Sequence, residues 1–144
     1  MHIQKEVNPA LNTVTAYGDD YIEINKTRHT QSVYFMPEGQ IQALGIRKPS
    51  DFTTELLQKI TGLQVKNNDA MAFLDNQAPG FENPEQIEVV LIGTGPQQQF
   101  LHPRLTSPLL SARIGVEVMD SQAAARTYNI LMSEGRRVVA ALII

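Results

Sequence analysis

Gly93-Thr94-Gly95 is the first place in this chain where residue types and spacing could bring the backbone against a ligand. It follows the mostly apolar run Ile87-Glu88-Val89-Val90-Leu91-Ile92, and two glycines there let the main chain turn sharply and approach a bound group closely. An anion could then sit on free N–H groups of the turn or at the start of the next helix. Two departures limit that chemistry. The dinucleotide fingerprint needs a third glycine where Gln98 stands, and no Lys-Ser or Lys-Thr follows to complete a phosphate loop. Pro96 removes a further N–H donor. A tight turn joining a strand to a helix is the competing reading of the same residues.

A second polar position follows a second apolar run. Ile114-Gly115-Val116-Glu117-Val118-Met119 ends at Asp120, which either caps the next helix or faces a crevice together with Thr94. The candidate ligand or partner crevice is therefore Gly93, Thr94, Gly95, Gln98, Phe100, Asp120, Arg126, Tyr128 and Asn129. Several of these have plain structural readings too. Tyr128 is expected to pack on the sheet with its hydroxyl bonded, Asn129 to brace a neighbouring loop backbone, and Arg126 to be solvated or ion-paired.

Other chemistry finds little support. There is no cysteine, which rules out thiol catalysis, disulfides and thiolate metal sites. His2, His29 and His102 are far apart and none pairs with a second ligand at helical spacing, so no metal site is expected. No Gly-x-Ser-x-Gly elbow offers a serine nucleophile. No catalytic residue and no cofactor are expected.

The elements that must position these residues can be read from periodicity. Thr13–Tyr17 and Tyr21–Asn25 alternate around Gly18-Asp19-Asp20, which predicts a hairpin. Ser32–Met36 and Gln40–Ile46 read as further strands of a meander. Phe52, Leu56, Leu57 and Ile60 form an amphipathic stripe over Ser50–Ile60, with Ser50 or Asp51 as cap and Gly62 as stop. Residues 66–86 read as an irregular or inserted segment with a short helix at Ala70–Leu74. Beyond it come a strand over Ile87–Ile92, a helix over Pro103–Ala112 with Leu105, Leu109 and Leu110 as its apolar side, a strand over Ile114–Met119, a helix carrying Ala124, Thr127, Tyr128 and Leu131 on one face, Gly135, and a strand over Val138–Ile144. Strands alternating with helices of this length imply right-handed crossovers and parallel strands. The turns after Ile92 and Met119 should therefore emerge at one sheet edge. If those two strands are not adjacent, the gap between them is a switch point of the kind where open α/β sheets bind ligands.

Composition bounds the rest. The chain has 144 residues, 42% hydrophobic and 19% charged, with a formal net charge of −3, as expected of one globular domain over residues 1–144. A basic field for nucleic acid is missing, so nucleic acid is not expected as a partner. The longest apolar run, Val138–Ile144, is far short of the roughly twenty residues of a spanning helix. The N-terminus lacks the apolar core of a signal peptide. A soluble, cytoplasmic protein is the expectation.

Ile92-Gly93-Thr94-Gly95 with Gln98 and Phe100, Ile114–Asp120, Ala125-Arg126-Thr127-Tyr128-Asn129-Ile130-Leu131, and Glu134-Gly135-Arg136-Arg137-Val138 together resemble the signature of a family of small domains of unknown function. Its eukaryotic members include mitochondrial complex I assembly factor three and an adipogenesis-associated protein. Thr30-Gln31-Ser32 fits an earlier motif, so the resemblance covers Tyr21–Ile46 and Ile87–Ile144. Leu44 stands where bacterial relatives often carry tryptophan, and the stretch Ser50–Gln86 is longer than usual. The resemblance implies a three-layer α/β fold with a central mixed sheet and no established enzymatic activity. It also implies a bacterial, non-catalytic interaction or assembly-factor-like domain with protein partners, among them those of a membrane or respiratory complex. The alternative is a binder of a small anionic ligand, or a weak enzyme, using the Gly93–Gly95 crevice.

Overall fold

A computed structural model describes residues 11–66 and 80–144. Its centre is a five-stranded mixed sheet in the order β5-β4-β10-β8-β9. The strands are β4 (Val33–Phe35), β5 (Gln42–Ala43), β8 (Val89–Gly93), β9 (Gly115–Met119) and β10 (Val138–Leu142). β8 runs parallel to both β9 and β10, while β10 and β4, and β4 and β5, are antiparallel. Every residue of β8 and β10 is buried, which explains why both read as continuous apolar runs rather than as alternation.

Two crossovers run in opposite directions across the sheet. α2 (Pro103–Ser111) carries the chain to β9 on one side, and α3 (Ser121–Ser133) carries it back past β8 to β10. Crossovers of one hand that run in opposite directions place their helices on opposite faces. On one face α2 joins α1 (Thr54–Thr61) in a cluster built from Leu57, Ile60, Leu109, Val90 and Ile92. On the other, α3 packs beside a separate three-stranded meander, β1 (Val14–Tyr17), β2 (Ile22–Ile24) and β3 (Thr27–His29), around Ile22, Leu91, Ala124, Tyr128 and Leu142. Three layers result, as the sequence resemblance implied.

Polar staples attach the meander to α3. Tyr128 is fully buried, its ring meets Phe35 edge-on at 4.7 Å, and its hydroxyl donates to the Asn12 carbonyl at 2.7 Å. Asn129 closes a two-bond clamp on β1, accepting from the Val14 N–H (2.9 Å) and donating to the Val14 carbonyl (2.8 Å). Asn12, itself buried, donates to the Met36 and Gly39 carbonyls. Tyr128 packs and bonds as expected, while Asn129 braces the backbone of a strand, β1, rather than of a loop.

Several details correct the sequence expectations. Ser50 and Asp51 do not cap α1: Pro49–Asp51 form a short 3-10 turn, Phe52 turns extended to bury its ring, and Thr53 accepts from the Leu56 N–H. Leu110 is 57% exposed, so it does not belong to the apolar side of α2. β3 escaped notice because its turn, Asn25-Lys26, takes φ 54° and 68°, a left-handed pair rarely adopted by lysine. β6 (Gln64–Val65), just before the segment read as irregular, pairs antiparallel with β7 (Phe81–Glu82) within it. The helix expected at Ala70–Leu74 lies outside the described residues.

Candidate functional site

The turns after β8 and β9 do emerge at one edge of the sheet, the shared rim expected from parallel topology. The two strands are neighbours, however, so no switch-point gap separates them. Their turns are instead stitched together. The Thr94 N–H donates to the Met119 carbonyl and the Ser121 N–H to the Gly95 carbonyl, both at 2.9 Å. The Ser121 hydroxyl accepts from the Gly95 N–H at 2.8 Å and donates to the Ile143 carbonyl at 2.6 Å. The Thr94 side chain, 2% exposed, donates to the Gln97 carbonyl at 2.7 Å and accepts from the Gln99 N–H at 3.1 Å. The Gly95 N–H that an anion would use is already engaged, and Pro96 has none to offer.

Gly93 has a packing reason. A Cβ there would lie 2.8 Å from Ser121 Oγ and Leu142 Cδ2 and 2.9 Å from Ser121 Cα. Only glycine lets the start of α3 come this close to β8. Gly95, at φ 97°, makes the turn that follows.

A cleft of about 440 Å³ opens beside this seam. Its walls are the β1–β2 turn, contributing Tyr17, Asp19 and Tyr21, and the start of α3, contributing Asp120, Gln122 and Arg126; Gly95, Pro96, Ile143 and Ile144 also line it. Two polar contacts span the walls. Arg126 Nη1 donates to the Tyr17 hydroxyl at 2.9 Å, and Gln122 Nε2 donates to Asp19 Oδ1 at 3.2 Å. The bond to Tyr17 raises the Arg126 pKa above its ordinary value, with the Asp120 carboxylate adding a smaller push. Asp120 caps α3, its Oδ1 accepting from the Ala123 N–H at 2.9 Å. Tyr21 is stacked beneath Arg28, whose Cζ lies 3.9 Å from the ring centroid.

The nine residues picked out by sequence thus fall into four places. Gly95, Asp120 and Arg126 line the cleft. Gly93 and Thr94 are buried in the seam beneath it. Tyr128 and Asn129 hold the meander. Gln98 lies on the β9 side, where its Nε2 donates to the Val118 carbonyl at 3.0 Å, and Phe100, two residues further on, is 88% exposed. Sequence reasoning missed Tyr17, Asp19, Tyr21 and Gln122. The Gly18-Asp19-Asp20 turn was legible, but nothing in its sequence says that it folds against α3. Among the described residues no group of three or more His, Asp or Glu side chains could hold a metal ion.

Residues 14–143 match the family described as "Protein of unknown function (DUF498/DUF598)". The chain belongs to this family. Over 58 residues the chain is 43% identical to the mouse protein named NADH dehydrogenase [ubiquinone] 1 alpha subcomplex assembly factor 3, a stretch that is 40% of this chain and 31% of that protein. An uncharacterized protein of Rhodobacter capsulatus is 41% identical over 58 residues, 40% of this chain and 47% of its own. The match thus spans about a third of the mouse relative. Among solved structures, a Bordetella parapertussis protein superposes with a TM-score of 0.75 at 47% identity, covering 93% of this chain and 96% of its own. A Bordetella pertussis protein described as a Mth938-like domain gives 0.75 at 49% identity over 99% and 92%. Among the described residues no helix is long and apolar enough to cross a membrane.

Proposed function

We propose that this family member is a non-catalytic, cytoplasmic interaction domain that helps assemble a larger complex, one associated with a membrane or with respiration. The observation that carries the reading is the 58-residue similarity to proteins named as assembly factors of NADH dehydrogenase in mouse and zebrafish. The internal employment of Thr94, Ser121, Tyr128 and Asn129 supports it, since each polar group is spent on holding the fold. An affinity capture from cells of the source organism is the test. Recovery of membrane or respiratory subunits is expected; recovery of soluble metabolic enzymes alone would count against the proposal.

A second reading, a small-ligand site, is favoured by the cleft between the meander and α3, where Arg126 offers a fixed positive charge. A thermal-shift screen of nucleotides and anionic metabolites tests it, because a ligand at a hundred times its Kd adds about 2.7 kcal/mol. An Arg126→Gln variant should lose any shift that arises there. A screen with no shift at all leaves this reading without support.

A further inference from the structure

The outer edge of β9 is a row of main-chain groups directed away from the sheet. The Gly115 N–H donates to the Glu88 carbonyl and the Met119 carbonyl accepts from Thr94, so the odd-numbered residues of β9 face β8. Backbone groups alternate sides along a strand, which turns those of Val116 and Val118 outward. Gln98 covers the Val118 carbonyl. The N–H and carbonyl of Val116 and the N–H of Val118 have no partner among the described residues. The opposite edge strand, β5, is only two residues long. Edges of this kind are usually blunted by lysine, proline or a bulge. β9 has none of them, and Glu117 is its one charge.

We propose that this edge receives an extended segment of a partner protein as an added strand, with a basic residue beside Glu117 and apolar residues on either side of it. The proposal rests on the interaction reading above and says where and how the partner binds. Only another main chain offers donors and acceptors at the spacing that Val116 and Val118 present. The Val116 and Val118 side chains belong to the apolar cluster on the α1/α2 face, and Met119 packs on the other face. Alternation puts Glu117 on the Met119 face, where it is exposed and in no ion pair among the described residues. A partner strand must therefore alternate apolar, basic, apolar. Self-pairing is disfavoured. The antiparallel register that joins Val116 to Val118 of a second copy lays Glu117 against its own counterpart, and like charges directly opposite repel.

NMR on the full chain tests this. In the free protein the Val116 and Val118 amides should exchange faster than those of Gly115 and Glu117; slow exchange at both would overturn the proposal, because the edge would already be covered. The probe is the peptide acetyl-Ser-Thr-Val-Lys-Val-Thr-Ser-amide at millimolar concentration. It should shift and protect the Val116 and Val118 amides, and replacing its lysine by glutamate should weaken binding about fivefold. Shifts confined to other regions, no shift, or equal binding of both peptides would overturn it. Val116→Pro removes one outward N–H and spares the β8 ladder, since proline is tolerated where an edge N–H faces solvent; it should weaken peptide binding about tenfold. Glu117→Lys should reverse the preference between the two peptides, and it keeps the test decisive if the proline variant does not fold. Capture from cells separates the two proposals. If wild type recovers respiratory subunits and both variants recover as much, the edge is wrong and the interaction reading stands. If wild type recovers none, that reading fails while peptide binding still decides the edge.

Discussion

The seam at Gly93–Ser121 and the cleft at Tyr17–Arg126 lie side by side on one rim, yet they are built differently. In the seam, two turns and the strand end at Ile143 are joined by short hydrogen bonds around a residue with no side chain. In the cleft, two elements from opposite ends of the chain touch through exposed side chains, Arg126 on Tyr17 and Gln122 on Asp19. Glycines that look like ligand chemistry in sequence serve close packing in the seam. The far wall of the cleft, at Tyr17, Asp19 and Tyr21, carries no motif that points to a ligand. Turn glycines report backbone approach, and the thing approached can be the protein itself.

The seam is where that contrast breaks most sharply. Gly93→Ala places a methyl group against the Ser121 main chain, which cannot swing aside as a side chain would, and should cost about 2–3 kcal/mol in chemical denaturation. A cost under about half a kcal/mol would show that α3 can retreat and that the seam is not tight. The clamp between α3 and the meander comes next. Asn129→Ala strips both outward groups of Val14 of their partners and should cost about 2 kcal/mol, with amide exchange rising across β1 before the central sheet.

Tyr128→Phe has a smaller effect of about 1–2 kcal/mol, since it leaves the Asn12 carbonyl without its donor and keeps the ring packing. It also has a pH signature. Burial pushes the Tyr128 phenol above its ordinary value of 10.0 in the folded state. The unfolded chain therefore loses this proton first. The stability linked to it is whole below about pH 10 and declines as pH rises from there through the folded-state value. Denaturation midpoints measured between pH 9 and pH 11 should fall less steeply for the phenylalanine variant. Identical slopes would place the hydroxyl in water.

The smallest effect belongs to the cleft. Arg126→Gln removes an exposed contact to Tyr17 and should leave the melting temperature unchanged within error. A clear loss of stability would make Arg126 part of the scaffold rather than a group available to a ligand.

The C-terminal unit was legible because each element carries its own signal. β8 and β10 are apolar throughout, Asp120 caps α3, and Gly135 follows the helix end. The N-terminal region was harder, because β3 exists only by pairing with β2 through an unusual turn, and Thr53 rather than Ser50 or Asp51 caps α1 once Pro49 starts a 3-10 turn. For the candidate site, residue types, the expected parallel topology and the family resemblance together proposed nine positions. Where they went depended on strand order and on which face each helix took.

By itself the sequence determined the strands and helices of the C-terminal unit and their shared direction, since burial pattern, caps and crossover handedness act over short stretches of chain. Tertiary structure decided that β8 and β9 are neighbours, that Ser121 fills the space a side chain at Gly93 would need, and that Tyr17 comes to Arg126 from 109 residues away. Contacts across such separations form when apolar faces bury one another, and no local pattern of residues encodes which faces will meet.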